Sequence, residues 1–133
     1  MAGLAQAQSK ISVNTATRQF NDEHGRSVIF HGVNVAYKVH PYIPSNQTFD
    51  GDNSLTDAEI DQLKKWGFNF VRLGVMWEAV ESAPGHYNDT YLDAVEVLIN
   101  KLGQRGIYTL VDAHQDVLAR KHCGEGIPNF YAT

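Results

Sequence analysis

The apolar residues of this chain fall into short continuous runs separated by stripes of helical spacing. The runs at residues 31–35, 68–73 and 107–111 predict three core strands, because short apolar stretches bounded by glycine or polar residues are typical of a parallel sheet. The stripes between them predict two helices, whose buried faces carry Ile60, Leu63 and Trp66, and then Tyr91, Val95, Leu98 and Leu102. The order strand, helix, strand, helix, strand is typical of βαβ units.

Capping and turn residues mark the ends of these elements. Thr56-Asp57-Ala58-Glu59 has the pattern of a capping box and predicts the start of the first helix, and Gly67 predicts its end. Pro84-Gly85 predicts a turn before the second helix, which Gly103 and Gly106 close.

The residues around the first core strand have a different character. Residues 11–13, 17–20 and 27–30 predict short strands around a turn. Residues 36–53 are rich in Pro, Tyr, Asn and Gly and predict a long loop, and loops of that length inside compact domains are usually functional or disordered.

Two architectures accommodate this order of elements: an open doubly wound sheet, or the beginning of a (β/α)₈ barrel. A doubly wound sheet would often carry a glycine-rich phosphate loop after its first strand, and residues 34–38 contain no glycine. The barrel is therefore favoured. A complete barrel needs about 250 residues, so this 133-residue α/β chain is expected to be an amino-terminal portion with about three βα units. Residues 1–10 are expected to be a disordered or processed terminus, and residues 11–133 an incomplete barrel domain.

Composition excludes several classes of function. The chain is 43% hydrophobic and 20% charged, as in globular proteins, and its net charge of -4 with scattered Lys and Arg predicts no nucleic-acid partner. The short basic cluster at residues 120–122 is expected to be a solvated loop. No apolar run approaches the roughly 18 residues that would span a bilayer.

A few short patterns bear on the cellular compartment. Ala5-Gln6-Ala7 resembles the small-residue pattern before a signal cleavage site, and the alternative is an ordinary frayed terminus. Asn46-Gln47-Thr48 and Asn88-Asp89-Thr90 are N-glycosylation acceptor patterns. Cys123 is the only cysteine, so it is either a free thiol or the partner of a cysteine outside this sequence. A secreted or lysosomal protein is expected.

Ionisable residues follow the third strand directly, at Asp112, His114 and Asp116. Residues two apart on a strand share a face, so Asp112 and His114 are expected to meet at the carboxyl end of the strand, where ligands bind in α/β proteins. We expect the strand to be buried on both faces, which would bury both side chains unless they meet a cavity or a partner. The alternatives are a mutual ion pair that fixes the strand end, and a metal site, which no second cluster of His or Cys supports.

Four motifs, in this order and spacing, resemble glycoside hydrolases of family five, clan A. They are His31-Gly32-Val33-Asn34, residues 67–73, Trp77-Glu78 with Pro84-Gly85-His86-Tyr87, and Asp112-Ala113-His114-Gln115-Asp116. Residues 34–38, the Asp-x-His-Gln-Asp element and residues 123–128 are most similar to endoglycoceramidases, which release the intact glycan from a glycosphingolipid. The resemblance covers nearly all of the chain from about residue 11 onward.

The resemblance implies a retaining mechanism with two catalytic glutamates. One follows an asparagine at the end of the fourth barrel strand, and the other ends the seventh strand. The sequence contains no Asn-Glu pair and holds only about three of the eight barrel strands, so neither glutamate is expected within it. Asp112 and Asp116 are expected to be poor substitutes, since four residues of extended strand would separate them by about 13 Å, against about 5 Å in retaining enzymes.

The resemblance implies sugar-holding roles instead. Lys38, Asp112 and His114 match positions that hydrogen-bond the sugar beside the scissile bond, and Arg72 matches a residue that orients the nucleophile. Without the resemblance, Lys38 reads as a solvated loop residue and Arg72 as a surface or salt-bridge residue. Trp77 either lines the sugar cleft or packs beneath it. No metal or cofactor is expected, and the expected partner is a glycolipid or oligosaccharide.

Two functional hypotheses follow. The first is the amino-terminal piece of a retaining glycosidase that acts on glycosphingolipids, with a cellulase-like or glucosylceramidase specificity as the near alternative. The second is a catalytically inactive, truncated or degenerate paralogue that at most binds sugar.

Overall fold

The computed structural model describes residues 8–133. Its elements begin with three short strands, β1 (Ser12–Asn14), β2 (Gln19–Asn21) and β3 (Ser27–Val28). The core elements are β4 (Gly32–Val35), α1 (Asp57–Lys65), β5 (Phe70–Met76), α3 (Asp89–Gln104) and β8 (Tyr108–His114). Between β5 and α3 lie a short helix, α2 (Trp77–Val80), and the hairpin strands β6 (Glu81–Ala83) and β7 (His86–Tyr87). A 3₁₀ turn, Arg120–His122, follows β8.

The core strands form one parallel sheet in the order β4, β5, β8. Val33 pairs with Val71, and Arg72 pairs with Leu110. The prediction that the three core strands are adjacent, parallel and in chain order is confirmed. The strand connections run through α1 and through α3, as βαβ crossovers require.

Both long helices pack on one face of this sheet. Alternate residues of β5, beginning with Val71 and Leu73, join a single buried cluster with residues of α1 and α3. Six of its members from the helices were predicted, namely Ile60, Leu63, Tyr91, Val95, Leu98 and Leu102. Burial of each such side chain stabilises the fold by about 1.5–3 kcal/mol. The periodicity of the sequence therefore identified the helical core correctly.

The helix ends also follow the local sequence signals. Thr56 caps α1 in a complete capping box with Glu59. Asn88 caps α3 by accepting a hydrogen bond from the Tyr91 N–H. Gly67 and Gly106 follow the two helices with φ of 85° and 71°, the left-handed conformation that glycine adopts without steric cost.

Two predictions about burial are wrong. Trp66 is 64% exposed, because six residues of helix turn its side chain about 120° away from Ile60. β8 is not buried on both faces: Leu110 is 49% exposed and Val111 52% exposed. Within the described residues β8 pairs only with β5, so one edge and part of each face meet no neighbour.

The short amino-terminal strands, which were predicted around a turn, form a separate antiparallel sheet, β1-β2-β3. Phe30, just past β3, contacts Phe20 as well as Phe70 and Tyr108, with ring centroids 4.8–5.5 Å apart. Phe70 and Tyr108 are the first residues of β5 and β8, so this aromatic cluster covers the amino-terminal ends of the core strands.

The structure does not test two expectations about the amino terminus of the chain. The Ala5-Gln6-Ala7 pattern and most of the predicted disordered terminus lie outside the described residues. Among the helices of residues 8–133, none has the length and apolar character needed to cross a membrane.

Candidate functional site

The face of the sheet opposite the helices carries the predicted site residues. Strand register places Asn34 beside Arg72, while Asp112 pairs with Gly74 and His114 with Met76 on the next strand. Because side chains alternate along strands, these polar residues share one face and approach the carboxyl ends of the strands. The prediction that Asp112 and His114 share a face is confirmed.

The Asp112 carboxylate is the centre of this group. Its Oδ2 lies 2.6 Å from Arg72 Nη2 and 2.8 Å from His114 Nδ1. Arg72 Nη1 donates to Asn34 Oδ1 at 2.6 Å. The mutual Asp112–His114 pair that the sequence left open therefore exists, and it belongs to a network with a partly exposed arginine.

The second nitrogen of His114 is the unusual atom of the site. The side chain is only 8% exposed, and Nε2 makes no hydrogen bond to the described residues. Asp116 Oδ2 is the nearest acidic atom, at 3.4 Å. Buried polar atoms are almost always paired, but Nε2 lacks a partner; because the atom itself is buried, a ligand reaches it only if a neighbouring side chain such as Asp116 moves.

Lys38 joins the network through Asp116. Its Nζ contacts the Asp116 carboxylate and lies 2.9 Å from Glu125 Oε1. The hydrogen bond from Lys38 holds the pKa of Asp116 below its ordinary value, and the two carboxylates raise the pKa of Lys38. Lys38, Arg72, Asp112 and His114 thus converge on one region, with Lys38 reaching the other three through Asp116.

The loop that carries Lys38 is held by a second ion pair. Arg120 donates from Nη2 to the Lys38 carbonyl and from Nε to both carboxylate oxygens of Glu78, each at 3.1 Å. The Gly126 N–H adds a hydrogen bond to Glu78 Oε1 at 3.0 Å. The expectation of a solvated basic cluster is therefore wrong for Arg120, which is part-buried, while Lys121 and His122 are exposed as expected.

The predicted separation of Asp112 and Asp116 is wrong. The 13 Å separation assumed an extended strand through Asp116, but β8 ends at His114. Beyond that point Asp116 and Glu125 exchange two backbone hydrogen bonds, of 3.0 and 2.9 Å. The chain thereby turns, and Asp112 and Asp116 approach the two nitrogens of one imidazole.

Asn34, Asp116 and Glu125 are site residues that sequence reasoning missed. A signal for Glu125 existed in the glycines on both sides of it. A Cβ on Gly124 would lie 2.1 Å from the Asp116 carbonyl oxygen, and one on Gly126 would lie 2.4 Å from the His114 carbonyl oxygen. Two glycines around an acidic residue indicate close backbone approach to another segment.

Three residues of the site are of types that bind metal ions. One ligand atom from each of His114, Asp116 and Glu125 lies within 4.8 Å of the others. The Lys38 ammonium already contacts both carboxylates and offsets one of their two negative charges. The arrangement is an ion-pair network, and the expectation of a metal-free site stays a prediction.

The described residues are suited to binding rather than bond cleavage. The network offers guanidinium and ammonium donors, carboxylate acceptors and one unpaired imidazole nitrogen within a small region. Such a mixture matches the hydroxyl groups of a sugar, each of which both donates and accepts. Each carboxylate is already paired with a cation, so none is arranged as a free nucleophile.

Comparisons with known proteins agree with the motifs. The family model of cellulases, glycosyl hydrolase family 5, matches residues 22–131. An endoglycoceramidase of Cyanea nozakii is 42% identical over 120 residues, which are 90% of this chain and 24% of that protein. A glucosylceramidase of Aspergillus fumigatus is 36% identical over 127 residues, covering 82% of this chain and 17% of that protein.

Solved structures are similar as well. Endo-glycoceramidase II from Rhodococcus sp., in complex with a five-membered iminocyclitol, superposes with a TM-score of 0.64 at 34% identity, over 83% of this chain and 25% of that chain. A complex of the same enzyme with ganglioside GM3 superposes with a TM-score of 0.61 at 32% identity, over 83% and 26%. The chain thus spans about a quarter or less of the length of these relatives.

Proposed function

This chain belongs to glycosyl hydrolase family 5, and from that premise we propose that it is the amino-terminal part of a retaining (β/α)₈ glycosidase that cleaves the bond between glycan and ceramide in glycolipids. The observation that carries the proposal is the contact of Arg72, Asp112 and His114 at the carboxyl ends of adjacent parallel strands. That edge is where barrel enzymes place their active sites. The endoglycoceramidase relatives, one of them bound to a ganglioside, support glycolipid as the substrate class.

The proposal gives each residue a role. Lys38, Asp112 and His114 hydrogen-bond the sugar next to the scissile bond, with His114 Nε2 as the atom that gains a partner. Contacts of this kind that strengthen in the transition state supply several kcal/mol in retaining glycosidases. Arg72 orients the nucleophile carboxylate and keeps it ionised by its fixed positive charge. Both catalytic glutamates come from sequence other than these 133 residues, which contain no Asn-Glu pair.

The test is the product formed by the protein expressed from the intact gene. We expect it to convert a fluorescent ganglioside into free ceramide and one intact oligosaccharide, identified by mass spectrometry. A glucosylceramidase specificity, favoured by the Aspergillus relative, would instead release glucose from glucosylceramide and leave the ganglioside uncut. No hydrolysis of either lipid would overturn the enzymatic proposal and favour the non-catalytic sugar-binding paralogue.

A location in the secretory pathway is part of the proposal. Asn88 and Thr90 of one acceptor pattern are exposed at the start of α3. Asn88 caps the helix through its oxygen, so its amide nitrogen is available for a glycan without loss of the cap. Expression in a secretory host should give a secreted protein whose electrophoretic band shifts on treatment with peptide N-glycosidase. Asn88→Gln should remove the part of that shift due to this site, and an unmodified, unsecreted protein would contradict this location.

A further inference from the structure

Three aromatic rings form an exposed cluster outside the ion-pair network. Trp77, Phe130 and Tyr131 are 43%, 42% and 46% exposed. The rings of Trp77 and Tyr131 lie 5.2 Å apart, tilted by 34°, and Phe130 meets Tyr131 edge-on at 4.6 Å. Exposed aromatic clusters of this kind usually mark binding surfaces.

A buried carboxylate fixes the orientation of two of these rings. Trp77 Nε1 donates to Glu81 Oε2 at 2.7 Å, and the Tyr131 hydroxyl donates to Glu81 Oε1 at 2.8 Å. The Gly85 N–H adds a third hydrogen bond at 2.7 Å. The polar atoms of both side chains therefore point inward, and the rings present carbon surface to solvent in a geometry that is set before any ligand arrives.

The cluster borders the residues proposed to hold sugar. Trp77 directly follows Met76, which pairs with His114 across the sheet. The next residue, Glu78, exchanges two hydrogen bonds with Gly126, and Gly126 lies against the His114 carbonyl. The aromatic surface is thus connected to the site by direct contacts.

We propose that Trp77 and Tyr131 form a stacking platform for a pyranose ring of the substrate glycan, beyond the sugar that occupies the ion-pair network. This rests on the proposed function. A pyranose has an apolar C–H face, which suits a carbon ring surface, and hydroxyl groups at its rim, which suit the exposed polar residue Asn129 beside Phe130 in sequence. The cluster is joined to the ion-pair network through Glu78 and Gly126, so the glycan that extends from a bound sugar is the occupant that it meets first.

The test uses the protein expressed from the intact gene and two substrates, a ganglioside with at least four sugars and glucosylceramide, which has no sugar beyond the first. Trp77→Ala should lower kcat/KM for the ganglioside about tenfold more than for glucosylceramide, because only the longer glycan loses a stacking contact. Trp66→Ala is the matched control, since Trp66 is also exposed but follows α1 at the opposite ends of the strands. Trp66→Ala should leave kcat/KM unchanged for both substrates.

Binding of the free oligosaccharide, measured by calorimetry, separates this proposal from the proposed function. A Trp77-dependent affinity in a protein that hydrolyses no glycolipid would support the platform while the enzymatic proposal fails. The platform would be overturned if Trp77→Ala lowered kcat/KM equally on both substrates or left the sugar affinity unchanged. It would also be overturned if Trp77→Ala lost binding to phosphatidylcholine vesicles and kept its sugar affinity. Trp77→Phe and Tyr131→Phe keep a ring while removing one hydrogen bond to Glu81, and they should give intermediate losses even if the alanine variant fails to fold.

Discussion

Asp112 fixes the direction of two other side chains of the candidate site. Its Oδ2 accepts from Arg72 Nη2 and from His114 Nδ1, and the latter bond turns His114 Nε2 away from it. A carboxylate in this position determines which donors and acceptors a ligand meets. Its loss should therefore affect ligand contact more than it affects folding.

Asp112→Ala in the protein from the intact gene should lower kcat/KM on ganglioside by at least about a hundredfold, equivalent to about 3 kcal/mol of transition-state stabilisation. The melting temperature should fall by only a few degrees, because Arg72 remains partly exposed to water. Asp61→Ala, which removes an exposed carboxylate paired with Arg105 at 2.5 Å, is the control and should change neither quantity greatly. Comparable losses of activity and stability would favour a purely structural ion pair.

The Lys38–Asp116 pair leads to a prediction about how stability depends on pH. Because Lys38 lowers the pKa of Asp116, the pair stabilises the folded chain above the ordinary carboxyl value of 3.8, and this is lost as pH falls through the lowered pKa. The raised pKa of Lys38 keeps the ammonium charged up to at least its ordinary value of 10.5. In the protein from the intact gene we expect NMR of the Asp116 carboxyl carbon to show titration below pH 3.8, and in Lys38→Met the midpoint should return toward 3.8. A midpoint at or above 3.8 in the unaltered chain would contradict the pairing.

The site residues divide by how they are positioned. Asp112 and His114 were predictable because strand alternation fixes their face and end of the sheet, whereas Arg72 was identified only through the family resemblance. Asp116 and Glu125 were not, because their approach depends on a loop that leaves the strand after His114 and folds back. Sequence spacing describes regular backbone, and it says nothing about where an irregular loop brings its side chains.

The same distinction holds for elements. α1 and α3 each contain enough turns for a helical period to be visible, and their buried residues were predicted correctly except for Trp66. α2 has four residues, too few for a helical period to be visible, and only the turn of the hairpin that follows it was predicted. Exposure of β8 was missed because burial of a strand depends on its neighbours rather than on its own apolar residues.

The capping box of α1 gives a prediction at this scale. Thr56 Oγ1 accepts from the Glu59 N–H at 3.4 Å, and Glu59 Oε2 accepts from the Thr56 N–H at 2.9 Å. Thr56→Ala should lower the free energy of unfolding by about 1 kcal/mol, seen as a fall of a few degrees in the melting temperature. Thr17→Ala, in an exposed turn, is the control. A fall no larger than that of the control would show that helix packing, not the cap, determines where α1 begins.

At the scale of the whole molecule, the described sheet has two open edges. β4 and β8 each pair only with β5 within residues 8–133. Leu110 and Val111 are about half exposed on the two faces of β8, and Val117 is 71% exposed just beyond it. Unpaired strand edges beside exposed apolar residues are sites for association with another chain.

We therefore predict that these 133 residues, expressed alone, aggregate or exchange strands and have no glycosidase activity. Apolar surface left in water forfeits about 25 cal/mol per Å², so a few hundred Å² forfeits a large part of the 5 to 15 kcal/mol that stabilises a typical domain. Thermal melting, sedimentation and hydrolysis of a fluorescent ganglioside test this directly. The double variant Leu110→Ser and Val111→Thr should sediment with less aggregate, since it removes apolar surface from both faces of β8. A cooperative melt from a monomer of the unaltered chain would contradict the stability prediction. Measurable turnover would contradict the placement of the catalytic glutamates outside these residues.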